Sequence, residues 1–289
     1  MAKDEAQFFV TKSKQVLLLS AAEQAPLADS IIDSVNREGN GSLRTLAVLE
    51  NIPPKPFCTP MDMVISSDPM WDDNEPGVVI FTSGTTGRPK GAVMRRSYIH
   101  EAALAIGEGY DLTHNDVLLH VLPVHHTTGL GTSFFPYLAV GGCIDFKGGS
   151  FNAAAIWDRW LQGGITIFSG VPTIYLRMQW HFEREIAKLP AQEVRKYVAA
   201  ANKVRALKCG SSALQRSVQE FWTKLRNGRP ILTRYGASEF PGCIKVPSDM
   251  DPKDLPQDCV GMSVPGVELK LTEGDHGELL VRSPYMFSK

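Results

Sequence analysis

Short apolar, β-branched runs alternate along most of the chain with longer segments in which apolar residues recur every three or four positions. The first pattern predicts strands and the second predicts helices. Strands are predicted at residues 15–20, 43–49, 78–81, 117–123, 165–168, 204–209 and 231–235. Helices are predicted at residues 26–38, 97–109, 153–161, 172–189 and 217–225. This alternation favours an α/β fold in which βαβ units form a mostly parallel sheet.

The pattern changes near residue 260. Residues 266–282 form two alternating segments around a Gly/Asp turn, which predicts an antiparallel hairpin at the start of a small β subdomain. We therefore divide the chain into a partial N-terminal α/β segment with a loop (1–76), an α/β subdomain (77–258) and an incomplete β-barrel-like segment (259–289). Because no closing element follows the hairpin, we expect the chain to be cut from a longer protein.

Composition narrows the class of protein further. The 289 residues carry 30 basic and 31 acidic side chains, a formal net charge of −1, which excludes a strongly basic nucleic-acid-binding protein. The five cysteines are scattered without a C-x-x-C pair, which favours a reducing compartment and a cytoplasmic protein. The longest uncharged run, 127–144, contains a proline and four glycines and does not predict an integral membrane segment. The oligomeric state stays open.

A loop rich in glycine and hydroxyl residues follows the predicted strand at 78–81. Its sequence, T-S-G-T-T-G-R-P-K-G, covers residues 82–91. Glycines allow the backbone to approach a polyphosphate closely, hydroxyl and N–H groups donate to its oxygens, and Lys90 supplies positive charge. The loop is not a Walker A sequence, because Lys90 follows a proline and precedes a glycine. A lone loop of this composition is equally typical of a flexible surface turn.

The ten-residue string resembles the phosphate loop of the adenylate-forming (AMP-binding) superfamily, of the acyl-CoA synthetase type. Four later segments resemble further family motifs in the same order: L-P-V-H-H at 122–126, G-S-S-A-L at 210–214, Y-G-A-S-E at 235–239 and G-E-L-L-V-R-S-P at 277–284. Ser283 replaces the usual glycine of the last motif. The segments at 234–239 and 260–267 are similar in texture to malonyl-CoA synthetase-like members, in which a second histidine is frequent where Thr128 stands here.

The resemblance implies ATP-dependent activation of a carboxylic acid to an acyl-adenylate and its transfer to CoA, with Mg²⁺ as the metal. The partners would then be two small molecules, the acid and CoA. The loop would hold the β- and γ-phosphates, and Tyr235 would stack on adenine. The implied cofactor-binding residues are Thr82, Ser83, Gly84, Thr85, Thr86, Gly87, Lys90, Gly210, Ser211, Ser212, Ala213, Tyr235 and Gly236.

The resemblance also assigns catalytic roles to three residues. Ser238 would bond to a phosphate oxygen or to the metal's ligand shell, and Glu239 would bind Mg²⁺, which prefers hard oxygen ligands. His126 would line the channel between the acyl group and the thiol. The spacing of His120, His125 and His126 also permits a metal site, although packing of His120 in the core is the simpler interpretation.

Arg234 is a candidate substrate-binding residue. It precedes Tyr235 at the end of a predicted strand, where a guanidinium needs an anionic partner. That partner is either the distal carboxylate of a short diacid such as malonate or an acid of the chain itself, and the sequence leaves both open.

The family pattern continues beyond the last motif of this chain. A ribose-binding aspartate, a hinge and a small C-terminal domain with a catalytic lysine follow it in the family. The resemblance therefore implies that the chain is a central fragment without the small C-terminal domain, with weak ATP binding and poor adenylation by itself. Two alternatives stay open: an adenylation domain that loads a carrier protein, and a non-catalytic nucleotide-binding remnant.

Overall fold

The computed structural model describes residues 3–14, 17–38, 43–48, 72–82, 88–248, 250, 256 and 259–288. The chain divides into two compact units, Met1–Trp71 and Asp72–Lys289. The first unit contains α1 (Lys3–Ser13), β1 (Leu17–Ala21), a 3₁₀ turn (Ala22–Gln24), α2 (Ala25–Glu38) and β2 (Arg44–Val48). The two strands pair in parallel, and both helices contribute to a small apolar core. The strands and the helix predicted here are confirmed, and α1 is an additional helix.

The second unit alternates strands and helices over most of its length. Its strands are β3 (Pro76–Thr82), β4 (Lys90–Arg95), β5 (Val117–His120), β6 (Cys143–Phe146), β7 (Ile167–Gly170), β8 (Ala206–Cys209), β9 (Leu232–Tyr235), β10 (Ile244–Lys245), β11 (Met262–Ser263), β12 (Glu268–Glu273) and β13 (His276–Arg282). Its helices are α3 (Ala103–Glu108), α4 (Thr127–Gly129), α5 (Phe135–Ala139), α6 (Ala153–Leu161), α7 (Pro172–Arg184), α8 (Ala191–Lys203) and α9 (Arg216–Leu225). Short π-helical turns span Tyr98–Ala102 and Leu130–Phe134, and a 3₁₀ turn spans Ile186–Lys188.

A seven-stranded sheet with the order β11-β10-β9-β8-β7-β5-β6 forms the centre of this unit. The strands from β9 to β6 are parallel, while β10 and β11 extend the sheet with antiparallel pairs. This arrangement confirms the α/β fold with a mostly parallel sheet. Because β5, β8 and β9 run in one direction, the segments that follow them all leave the sheet at the same end.

Both faces of the parallel strands are covered, as is usual for such sheets. Successive residues of each strand point to opposite faces, so that each strand contributes to two separate apolar cores. On one face Trp157 of α6 stacks on Trp222 of α9, with ring centroids 5.6 Å apart. Burying a large apolar side chain contributes roughly 1.5–3 kcal/mol to stability, so these rings fix the two helices on the sheet. One face carries Leu119, Phe168 and Leu207, and the other carries Leu118, Ile167 and Ala206.

An ion pair between the buried Asp116 and the partly exposed Arg205 joins the start of β5 to the start of β8. The carboxylate of Asp116 accepts hydrogen bonds of 2.8 Å from Nε and Nη2 of Arg205, and one of 2.7 Å from the hydroxyl of Thr166. Burial by itself raises the pKa of Asp116, but these bonds and the backbone N–H of Thr113 together lower it to about 2. The pair therefore stabilises the folded unit only while Asp116 is ionised.

Several elements differ from their predicted form. The strand at 78–81 is present as β3, but it pairs antiparallel with β4 in a separate two-stranded sheet. Sequence reasoning missed β4 because it begins directly after the glycine-rich loop, whose Pro-Lys-Gly end is typical of a turn. The helix predicted at 172–189 ends at Arg184 and is followed by a 3₁₀ turn. The hairpin predicted at 266–282 is confirmed by the antiparallel pairing of β12 with β13.

None of the helices in the described part of the chain combines the length and the apolar character needed to cross a membrane.

Candidate active site

The segments that follow β5, β8 and β9 enclose a pocket of about 210 Å³ at the carboxyl end of the sheet, which we call the front pocket. In open α/β sheets this end of the strands is the usual ligand site. Three of the sequence motifs therefore meet, although they are separated by many residues along the chain. The pocket is lined by His126, Thr127, Thr128, Thr132, Ser211, Arg234, Tyr235, Gly236, Ala237, Ser238, Pro241 and Gly242.

His126 lies at the N-terminal end of α4, and its ring is held in one orientation. Its Nδ1 accepts a hydrogen bond of 3.2 Å from the backbone N–H of Thr128 and lies 3.1 Å from the hydroxyl of the same residue. Since a backbone N–H can only donate, Nδ1 is the unprotonated nitrogen and the neutral ring carries its proton on Nε2. Burial, and secondarily the charge of His125, lowers the pKa of His126, which favours this neutral form.

The hydroxyl of Ser211, in the segment after β8, lies within hydrogen-bond distance of the hydroxyl of Thr128. The hydroxyls of Thr128 and Ser211 lie 3.1 Å apart, so the segment after β8 is linked to the ring of His126 through two side chains. Ser211 has a φ of 75°, a left-handed conformation that is uncommon for a residue with a side chain. Strained backbone of this kind tends to occur at ligand sites. Sequence reasoning missed Thr128 as a site residue, although a threonine two positions after a helix-capping residue was a usable signal.

Arg234 is the most unusual group in the pocket. Its side chain is only 8% exposed. Both terminal guanidinium nitrogens are buried beside the hydroxyl of Tyr110, and no described carboxylate forms an ion pair with them. The internal acid that the sequence left open as a partner is therefore not found among the residues that the structure describes. A buried cation in this state is costly unless an anion binds to it.

The Tyr-Gly-Ala-Ser-Glu segment folds into a tight turn beside Arg234. A Cβ atom on Gly236 would lie 2.4 Å from the backbone nitrogen of Gly242, so this approach requires glycine. Tyr235 is 41% exposed, which leaves one side of its ring open to a flat partner. Ser238 lines the front pocket, whereas the half-buried Glu239 follows it without lining the pocket.

The other predicted site residues do not line the front pocket or lie outside the described residues. Thr82 and Lys90 pair with each other at the end of β3 and β4, and the side chain of Lys90 is exposed. Gly210 is buried directly after β8, and Ser212 and Ala213 are exposed beside it, outside the lining of the front pocket. The rest of the predicted phosphate loop, Ser83, Gly84, Thr85, Thr86 and Gly87, lies outside the described residues.

The histidine and carboxylate groups can also be judged as metal ligands. His120 is buried, and its Nε2 donates to the carbonyl of Gly129 at 3.0 Å. In the described ranges, the histidine and carboxylate groups close enough to share an ion are the exposed Asp73, His100 and Glu101. Glu239 is not among them, so its role toward Mg²⁺ stays a prediction.

The polar groups of the front pocket suit an anionic, hydroxyl-rich ligand. Besides the guanidinium of Arg234, the buried hydroxyl of Thr127 lies at the wall of the pocket. The hydroxyls of Ser211 and Ser238 are further donors at its wall. Such donors fit the phosphate and ribose oxygens of a nucleotide and the oxygens of a carboxylate. Hard oxygen ligands such as Ser238 and Glu239 fit Mg²⁺.

Known proteins of similar sequence include CoA ligases. The chain is 33% identical over 231 residues to a malonate–CoA ligase of Arabidopsis thaliana, covering 75% of this chain and 36% of that protein. It is 31% identical over 246 residues to the human mitochondrial malonate–CoA ligase ACSF3, covering 74% of this chain and 42% of the relative. The chain thus spans less than half the length of these curated relatives.

A solved structure of a malonyl-CoA ligase is also similar to this chain. The structure of a malonyl-CoA ligase in a ternary product complex with methylmalonyl-CoA and AMP is 26% identical, with a TM-score of 0.75 over 100% of this chain and 56% of that one. The sequence pattern of the AMP-binding enzyme family matches residues 1–289, which confirms the predicted resemblance. By this match, the chain belongs to the family of AMP-binding enzymes.

Proposed function

We propose that this chain forms the acid-activating part of an ATP-dependent acid–CoA ligase whose acid is a short dicarboxylate such as malonate. The observation that carries the proposal is the buried guanidinium of Arg234, which lines the front pocket without a carboxylate partner among the described residues. Two of the relatives are named malonate–CoA ligases, which supports the same class of acid. Residues 77–258 would form the pocket, and 259–289 would begin the small β subdomain.

The reaction needs no protein nucleophile. A carboxylate oxygen of the acid would attack the α-phosphorus of ATP, so that pyrophosphate leaves and an acyl-adenylate forms. The thiol of CoA would then attack the acyl carbon of the acyl-adenylate, and AMP would leave; Mg²⁺ would neutralise phosphate charge. The protein's contribution is to place the acid and to supply donors where charge develops. Lys90 and the 82–87 loop would hold the β- and γ-phosphates, and Ser238 and Glu239 would hold the metal and an oxygen of the nucleotide.

The front pocket separates the two ends of the diacid. Arg234 would bind the distal carboxylate through two parallel hydrogen bonds, the geometry that a guanidinium prefers. His126, with its proton on Nε2, would donate a hydrogen bond to the reacting carboxylate while its Nδ1 stays bonded to Thr128. Tyr235 would cover the adenine beside the 210–213 segment. The distal carboxylate and the reacting carboxylate would therefore bind at different walls of the front pocket.

Substrate discrimination tests the proposal. In the intact protein, malonate-dependent pyrophosphate exchange and thioester formation should exceed those with butyrate, which has a similar size but lacks the second carboxylate. Arg234→Leu should shift the ratio of kcat/KM values toward butyrate by about 10²–10³, since removing one side of a buried charge pair costs about 3–4 kcal/mol. The exposed Arg195 of α8 offers a matched control, and Arg195→Leu should leave the ratio unchanged.

Three results of these measurements would contradict the proposal. If the parent protein already prefers butyrate, or if Arg234→Leu leaves the ratio where it was, the diacid assignment is wrong. If malonate supports pyrophosphate exchange but CoA does not accept the acyl group, the carrier-protein alternative is favoured instead.

A further inference from the structure

A second cavity of about 340 Å³ adjoins the front pocket, and we call it the rear cavity. Four residues line both spaces, so a single layer of the protein separates them: Thr132, Arg234, Pro241 and Gly242. Since glycine has no side chain and threonine and proline have short ones, the side chain of Arg234 forms most of this layer. It is therefore the group whose removal would join the two spaces.

The two long walls of the rear cavity are apolar. Ala105 and Ile106 of α3 form one wall, and Val264 and Val267 from the segment between β11 and β12 form another. Besides Arg234, its polar lining residues are Glu108, Tyr110, Thr132, Lys245, Ser283 and Tyr285. Because the side chains of glutamate and lysine carry opposite charges, they give the cavity no clear preference for an anion. The apolar walls instead suit the hydrocarbon part of a ligand.

Arg234 is held between the two spaces by its neighbours. Its terminal nitrogens are buried beside the hydroxyl of Tyr110, a residue that also lines the rear cavity. The middle of its side chain lies against Gly210, where a Cβ atom would come closer than real Cβ contacts allow. Placing hydrocarbon against a buried charge that lacks an anionic partner is costly. An acid with an alkyl tail is therefore stopped at this side chain.

We infer that the side chain of Arg234 is a partition that limits the length of the acid, and that the rear cavity is an extension of the acid site which this side chain closes. In the parent protein a short acid fills the front pocket, and the alkyl tail of a longer monocarboxylate has no way into the rear cavity. Without the partition, that tail lies between α3 and the Val264–Val267 wall. The placement of the acid in the front pocket rests on the function proposed above, whereas the joining of the two spaces does not.

Truncation of Arg234 tests the inference, and substitutions in the rear cavity locate the effect. Arg234→Ala removes the partition, Arg234→Ser is a second truncation, and Arg234→Met keeps a long side chain without the charge. Ala105→Phe and Val264→Phe fill the rear cavity from different walls, and neither residue lines the front pocket. Leu104 is 50% exposed on the same helix and lines neither space, so Leu104→Phe is the matched control. Thermal unfolding establishes that each variant is folded.

The intact protein is assayed with malonate, butyrate and hexanoate. The measurements are kcat/KM for acid-dependent pyrophosphate exchange and, independently of turnover, the Kd from titration calorimetry. Relative to butyrate, hexanoate should gain at least about tenfold in Arg234→Ala over the parent, because it buries two more methylene groups. Arg234→Met should leave the ratio of hexanoate to butyrate near that of the parent. In the Arg234→Ala background either cavity-filling substitution should abolish the gain and Leu104→Phe should preserve it, and in the parent background none of the three should change the use of malonate.

An unchanged ratio of hexanoate to butyrate in the truncated variants, or no binding of hexanoate to them, would overturn the partition. A gain that persists in both filled variants would place the alkyl tail elsewhere and would also overturn it. An equal gain in Arg234→Met would show that charge alone excludes the tail, with the same consequence. If hexanoate behaves as expected while the parent does not use malonate, the diacid function is wrong and the partition stands. If malonate use depends on Arg234 while the ratio stays unchanged, the function stands and the partition is wrong.

Discussion

The position of Arg234 depends on the absence of a side chain at Gly210. A Cβ atom at Gly210 would lie 2.9 Å from both Cγ and Nε of Arg234, closer than real Cβ contacts allow. These atoms belong to the middle of a buried side chain, so Gly210→Ala must displace the guanidinium from the wall of the front pocket. The backbone of Gly210 does not have a positive φ, so alanine introduces no backbone strain of its own.

Gly210→Ala should have two measurable effects, one on folding stability and one on substrate preference. Overpacking of this kind costs about 1–3 kcal/mol of folding stability, which thermal unfolding should detect. A displaced guanidinium also loses at least one charge-assisted hydrogen bond to the distal carboxylate, worth about 1.5–3 kcal/mol. The ratio of kcat/KM for malonate over butyrate should therefore fall by about 10- to 100-fold, with little change for butyrate itself.

The assay compares four proteins. Gly210→Ala, Arg234→Leu and the double variant are measured with both acids, and Gln215→Ala serves as the control because Gln215 is exposed just after the same segment and does not line the front pocket. If Gly210 acts through Arg234, adding Gly210→Ala to Arg234→Leu should not lower the ratio further, because contacting residues are not additive. A full additional loss in the double variant, or an unchanged ratio in the single one, would refute the reasoning.

Two further predictions concern charge. Glu239→Gln should lower the rate of adenylation by about 10²-fold, the usual effect of removing one group that stabilises transition-state charge, and should leave the Tm unchanged. A large loss of Tm with normal activity per folded molecule would instead make Glu239 a structural residue. Asp116 has a pKa lowered to about 2 in the folded unit, so its bonds to Arg205, Thr166 and Thr113 together contribute about 2 kcal/mol above pH 4, and this is lost as the pH falls from about 4 to 2. Asp116→Asn should remove that stability at pH 7 and flatten the acid limb of a pH–denaturation curve, and an unaltered limb would contradict the assignment.

The sequence predicted the parts of the site that lie in short continuous motifs. His126, Ser211 and Tyr235 come from three such motifs, and the parallel sheet brings them to one end because each follows a parallel strand. The lack of a carboxylate beside Arg234 in the described part of the chain could not be read from the sequence, because it depends on which acids lie near it in space.

Contacts between distant segments were equally hidden. Asp116 and Arg205 are 89 residues apart, and the rear cavity beside the front pocket is lined both by α3 and by Val264 and Val267. Neither contact produces a local pattern in the sequence from which it could have been predicted. The β3–β4 hairpin was missed for a different reason, since the turn-like start of β4 concealed its short alternating run.

The hydroxyl link between Ser211 and Thr128 joins the segment assigned to adenine with the ring assigned to the acid. A nucleotide that shifts Ser211 must therefore change the hydrogen bonds of His126, and an acid that fixes His126 must restrain Ser211. Thermodynamic linkage makes the two effects equal: whatever factor the nucleotide applies to the affinity for the acid, the acid applies to the affinity for the nucleotide. Through these two hydroxyl groups, the affinity for each ligand would depend on whether the other ligand is bound.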